Sequence, residues 1–110
     1  MIDARRMEVY TALFDDKGNR IRLTSAEIID EHSFADILKD HQVLFFGDGA
    51  QKCEELLGQH PNAQFDGGFV NSAAYLASTA QHKFDAVAFE DVVYFEPFYL
   101  KDFIAGKKAF

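Results

Sequence analysis

The segment that most constrains this chain is Glu8-Val9-Tyr10-Thr11-Ala12-Leu13-Phe14, whose alternation reads as a β-strand. Val9, Thr11 and Leu13 share one face, with Glu8, Tyr10, Ala12 and Phe14 on the other. Branched and aromatic side chains of this kind suit a pleated surface. Asp15-Asp16-Lys17-Gly18-Asn19-Arg20 then supplies turn residues, and Ile21-Arg22-Leu23-Thr24 resumes the alternation. The pair predicts a β-hairpin whose first strand lies in the middle of a sheet. Its lead-in is unusual, because Asp3, Arg5, Arg6 and Glu8 crowd four charges against the entry to a core strand. Charge there is costly unless paired or solvated. Either these residues form an ion-pair corner, with Arg5 and Arg6 satisfying Asp3 and Glu8, or they line a site.

Further along, Ser25-Ala26-Glu27-Ile28-Ile29 extends the second strand. Ser33 is placed to cap a helix carrying Phe34, Ile37 and Leu38, with Asp36 in its first turn. Val43-Leu44-Phe45-Phe46 is apolar on both faces, as a strand covered on both sides in a parallel sheet must be. Gly47-Asp48-Gly49 breaks it, and a helix from Ala50 to Leu57 stops at Gly58. Ala63-Gln64-Phe65 reads as a short further strand before the Asp66-Gly67-Gly68 turn. Asn71 or Ser72 caps the longest predicted helix. Its inner face, Ala73, Leu76, Ala77, Ala80 and Phe84, has small residues that would let it lie close on a sheet. From Phe89 the chain turns aromatic, and Pro97 confines any strand there to an edge. A hairpin running into helix-strand alternation predicts an α/β domain, a mixed sheet flanked by helices. Ribonuclease H-like and actin-like ATPase lobes are built this way.

The 110 residues fit one domain, in which folding buries roughly two-thirds of the surface of the unfolded chain. Eighteen acids against eleven bases give a net charge of −7, which excludes a broad basic platform for nucleic acid. The one cysteine, Cys53, fits a reducing cytoplasm, and no apolar run approaches the roughly 20 residues of a membrane span. Neither direct nucleic-acid contact nor membrane insertion is expected.

Gly47 and Gly49 sit between a buried strand and a helix start, where backbone N–H groups can cradle phosphate. The alternative is a plain tight turn with Asp48 at the positive end of the helix. A third fingerprint glycine and a Walker Lys-Ser/Thr are both missing. His32, His41, His60 and His82 have no zinc-ligand spacing, and Cys53 on a helix face reads as a small core residue. No catalytic constellation and no cofactor or metal site is predicted. The rings Phe89, Tyr94, Phe95, Phe98, Tyr99, Phe103 and Phe110 either pack back on the sheet or leave apolar surface for another subunit or a missing lobe.

Two segments carry a family resemblance. Asp3-Ala4-Arg5-x-x-Glu8-Val9-Tyr10 resembles the motif opening the second lobe of the bacterial TsaB family, and Glu96-Pro97-Phe98-Tyr99-Leu100-Lys101 resembles its closing Glu-Pro-x-Tyr-Leu-Arg segment. Gly47 and Gly49 lie between them, where that family also has a glycine pair. Lys101 departs from the usual arginine. The resemblance implies the C-terminal lobe of a two-lobe protein, spanning residues 1–110 with the N-terminal lobe absent. It further implies a non-catalytic scaffold in the machinery that makes threonylcarbamoyladenosine in tRNA. The family was once regarded as glycoprotease-like. Its implied partners are the TsaD-like catalytic subunit and a TsaE-like ATPase, with self-association through the tail as a further expectation. An enzyme half, completed by a missing lobe with Gly47 and Gly49 touching nucleotide, is the rival expectation.

Overall fold

The computed structural model describes residues 1–102; Phe103 and Phe110 lie outside the described residues. Among the described residues five strands form two sheets: β1 (Ile2–Asp3), β2 (Glu8–Phe14) and β3 (Arg20–Ile28) in one, β4 (Val43–Phe46) and β5 (Ala63–Asp66) in the other. Three short helices accompany them, α1 (Ala35–Leu38), α2 (Glu54–Leu57) and α3 (Ala77–Asp85), the last two each preceded by a 3₁₀ turn. The fold is mixed α/β, with an antiparallel three-stranded sheet and a parallel pair.

The hairpin forms as the alternation predicts, with β2 between β1 and β3. Val9 pairs with Glu27 and Thr11 with Ser25, and the register slips between Thr11 and Phe14. The turn is closed by Asp15, whose Oδ1 accepts the Lys17 and Asn19 amides at 2.9 and 2.8 Å. The charged lead-in was read as an ion-pair corner or the lining of a site, with the first strand beginning only after it. Of its four charges Asp3 already belongs to a short strand, β1, Arg5 and Arg6 form a sharp reversal at φ of 73° and 49°, and Glu8 begins β2.

One core serves both sheets. Val9, Ile29, Phe34, Leu38, Phe45, Ala50, Cys53 and Leu57 form it, with the Phe45 ring edge-on to Phe34 and stacked on Phe65. Arg22 ties β3 to α1 through Asp36 at 2.7 Å, and the Asn62 amide donates to the Leu38 carbonyl at 2.9 Å. Cys53 is fully buried; burial pushes its thiol pKa up, and its Sγ donates to the Gly49 carbonyl at 3.3 Å.

Four expectations need correction. Ser33 does not cap α1: its hydroxyl closes a turn with Asp30, and Phe34 precedes the helix at φ 63° with its ring in the core. A buried ring there outweighs the cap hydrogen bond, worth about 1 kcal/mol. The single mixed sheet is two sheets, because β1 is too short to pair along β2 and β4 together. β4 is covered on one face alone, leaving Leu44 55% and Phe46 44% exposed. The longest helix does not lie on a sheet. Ser72 caps it, accepting the Ala74 amide at 3.2 Å, yet every residue from Val70 to Tyr99 is exposed. The radius of gyration, 16.9 Å, accordingly exceeds the roughly 13 Å of a compact chain this long.

α3 closes by a Schellman arrangement: the Ala88 amide donates to Lys83 at 2.8 Å and the Val87 amide to Phe84 at 3.0 Å. The left-handed residue of that motif is Val87, at φ 55°, where glycine is the usual occupant. A β-branched residue is strained there. Val87→Gly should stabilise the helix end by about 1 kcal/mol, slowing exchange of the α3 amides about fivefold. Native-state hydrogen exchange reads this directly, and unchanged exchange would mean the valine sits without strain.

Candidate functional site

The start of the chain lies across the strand-to-helix turn after β4. The Met1 ammonium donates to the Phe46 carbonyl at 2.8 Å, the Gly49 amide to the Met1 carbonyl at 3.3 Å, and the Asp3 amide to Asp48 Oδ1 at 3.0 Å. β1 thus advances alongside β4 while pairing antiparallel with β2, Ile2 opposite Tyr10 and Asp3 opposite Val9. This passage accounts for both glycines. A Cβ on Gly47 would stand 2.0 Å from the Met1 carbonyl oxygen, and one on Gly49 2.8 Å from the Ile2 carbonyl carbon. Gly47 also holds φ 100°, a conformation that side chains oppose. The seat that a phosphate would need over this turn is filled by the protein's own backbone.

Beside the turn is the charged corner. Asp3 and Glu8 were expected to pair with Arg5 and Arg6; the structure pairs them with lysines from elsewhere. Lys52, on the 3₁₀ turn Gln51–Cys53, binds Asp3 Oδ1 and donates to the Glu8 carbonyl at 2.7 Å. Lys101 donates to Glu8 Oε2 at 2.5 Å. Arg5 contributes its backbone amide, 3.0 Å from Asp3 Oδ1, while the reversal at Arg5 and Arg6 leaves both residues exposed. The amide of Ala4 donates to Glu8 and that of Glu8 to Arg5, which closes the reversal. The two resembling segments therefore touch, through Glu8 and Lys101. Val9 is in the core and Tyr10 half-buried on the opposite face, whereas Glu96, Pro97 and Tyr99 are exposed and Leu100 half-buried.

Electrostatics follow the contacts. The Lys52 hydrogen bond, helped by the Arg5 amide, holds the Asp3 carboxyl below its usual 3.8. The Glu8 hydrogen bond holds Lys101 above its usual 10.5. Burial lowers the Met1 ammonium pKa, against the attraction of Asp48. Reading the sequence missed Lys52 and Lys101 as partners, for they lie 49 and 93 residues from the carboxylates they meet. The only available signal was charge balance, a pair of carboxylates whose neighbouring bases could point away.

Two concavities adjoin the turn. One, of about 130 Å³, lies at the carboxyl ends of β4 and β5, where open α/β sheets take their ligands, and Asp48, Glu54 and Asp66 are in its wall. Its lining has no basic side chain, so it repels phosphate. The other, of about 590 Å³, is an open apolar hollow between Phe46, Phe69, Tyr75 and Leu76. Among the described residues no group of three or more His, Cys, Asp or Glu is placed to hold a metal ion, and no helix is long and apolar enough to cross a membrane. His32, His41 and His82 are exposed, and His60 is half-buried, accepting the Asn62 amide at 3.2 Å. No family model matches the chain, nor does any curated protein or solved structure.

Two tests follow. Gly47→Ala should destabilise the fold by at least about 2 kcal/mol, while Gly18→Ala, which meets nothing within 4 Å, should cost only the roughly 1 kcal/mol of its positive φ. Equal urea midpoints for the two variants would refute the close passage of Met1. Asp3, with its pKa depressed, stabilises the fold above pH 3.8 and loses that contribution as pH falls through its folded value. Lys101, with its pKa raised, contributes fully below pH 10.5 and loses the contribution as pH rises beyond. Lys52→Met should flatten the acid limb of stability against pH, and Lys101→Met the alkaline limb. Unfolding midpoints across pH would show it.

Proposed function

We propose that this chain is a non-catalytic scaffold lobe of the TsaB kind, acting through its surfaces beside a TsaD-like catalytic subunit and a TsaE-like ATPase in making threonylcarbamoyladenosine on tRNA. The observation that carries the non-catalytic part is the occupied turn. In a nucleotide-clasping lobe the backbone at such a turn faces phosphate. Here Met1–Asp3 sits on Gly47 and Gly49, and Asp48 accepts the Asp3 amide. A carboxylate and a filled seat are both hostile to phosphate.

The contact between Glu8 and Lys101 supports the family part, since it gives the opening and closing segments a shared structural task. Asp3, Glu8 and Lys52 hold the reversal that aims β2 into the core. The finer fold we infer is a ribonuclease H-like, actin-like ATPase lobe, with β1 as the strand between β2 and β4 that would join the two sheets into one. Its direction, antiparallel to β2 and advancing with β4, supports that reading. The net charge of −7 suits a subunit that leaves tRNA contact to its partners.

The rival reading, an enzyme half that uses the turn for nucleotide, draws on the small cavity at the carboxyl ends of β4 and β5. Its three carboxylates weigh against it. Titration with ATP and magnesium decides: the scaffold reading expects no saturable heat, and micromolar affinity would establish the rival. Deleting the gene in its own cell should lower threonylcarbamoyladenosine in tRNA hydrolysates. An unchanged level would reject the assignment to that machinery.

A further inference from the structure

Two aspartates in this chain are followed by glycine, Asp48 and Asp66, and no asparagine is. An Asp-Gly pair is where a backbone most readily reacts with itself. The glycine nitrogen attacks the aspartate Cγ, water leaves, and a succinimide ring closes. Water then reopens the ring at either carbonyl. Opening at the α-carbonyl leaves isoaspartate, in which the chain runs through Cγ and the former main-chain carbonyl becomes the free carboxylate. Mass and charge are unchanged, and no oxidant or cofactor enters. A side chain on the following residue hinders the attack. Glycine has none, and its wide range of backbone angles lets the two atoms approach.

The fold treats the two pairs differently. Both carboxyls accept one backbone amide, Asp48 Oδ1 from Asp3 at 3.0 Å and Asp66 Oδ1 from Gly68 at 2.9 Å, so the electrophile does not separate them. The nitrogen does. Gly49 is buried, and its amide donates to the Met1 carbonyl at 3.3 Å. For that nitrogen to turn onto Asp48, the passage of Met1–Asp3 must lift. Gly67 is exposed, a Cβ there would meet nothing within 4 Å, and its amide has no hydrogen-bond partner among the described residues. Asp66 is the last residue of β5, so the chain beyond it is free of the ladder. The Gly68 bond folds the Asp66 carboxyl back over the Gly67 peptide, as in an Asx turn.

We propose that Asp66-Gly67 is a site of isoaspartate formation in the folded protein, that the passage of Met1–Asp3 shields Asp48-Gly49 from the same reaction, and that the change releases Phe69. The product carries an extra backbone methylene between β5 and Phe69. The Phe69 ring stands 5.0 Å from that of Phe46 and 5.5 Å from that of Tyr75. These contacts tie the exposed segment beyond Val70 to the parallel pair, and a longer backbone at residue 66 moves the ring off them. The modification is independent of the function proposed above.

Protein isoaspartate methyltransferase with labelled S-adenosylmethionine reads the product, because it moves the sulfonium methyl onto the new α-carboxylate. The protein is stored at neutral pH, labelled and cut with trypsin, which leaves Asp48 in the peptide ending at Lys52 and Asp66 in the peptide ending at Lys83. The Lys83 peptide should carry about tenfold more label, since Asp48 reacts only through local opening. Its mass should be unchanged, whereas deamidation at Asn62 or Asn71 would raise it. Equal labelling of the two peptides, or label found only with added mass, would overturn the site. Storage in urea should label both peptides alike. A preference that persists in urea would overturn the shielding by the fold. Asp66→Glu, whose larger ring closes far more slowly, should abolish the mass-neutral label, and label that survives would reject Asp66. Should that variant fail to fold, the comparison of native and urea-treated parent decides. The near-ultraviolet circular dichroism of the parent should fall as label rises, and a constant signal would reject the release of Phe69.

Discussion

The close passage of Met1–Asp3 over Gly47 and Gly49 is the contact on which the rest of the structure depends. It stitches the antiparallel sheet to the parallel pair by backbone, where side-chain packing alone would have left two separate hydrogen-bonded units. Only glycine permits such an approach, since a single methyl on either residue would overlap the crossing strand. Once the stitch is made, Val9 and Phe45 face the same side and one core can serve both sheets. The lysines that gather at Asp3 and Glu8 hold the stitch in place.

The same contact shapes the functional reading. A glycine pair after a buried strand raises the expectation of phosphate, because small residues there usually make room for a ligand. Here the room is taken by the protein. Asp48, which would oppose an anion, accepts a backbone amide instead. Two otherwise distant segments, the charged opening and the proline-containing close, converge on Glu8. What the chain displays outward is an apolar face and an aromatic arm.

The local grammar of the chain was largely legible. The period-two alternation placed β2 and β3, the doubly apolar run placed β4, and helical spacing placed the segment ending at Leu57. Such patterns are set by backbone sterics and by neighbours a few residues away, so they can be read without the fold. Ser33 failed as a cap because its competing hydrogen bond to Asp30 is also local, and proximity alone does not rank two local options. Arg5 and Arg6 failed as ion-pair partners because a reversal with positive φ carries their side chains away from the strand.

Local patterning was enough to place β2, β3, β4 and the helical segment that ends at Leu57. Long-range packing settled which lysines answer Asp3 and Glu8, that both glycines lie against Met1 and Ile2, and that one sheet face is left bare. The reason is range. Alternation, turns and helix ends are settled within a few residues, whereas a partner 49 or 93 positions away is chosen by the packing of everything between.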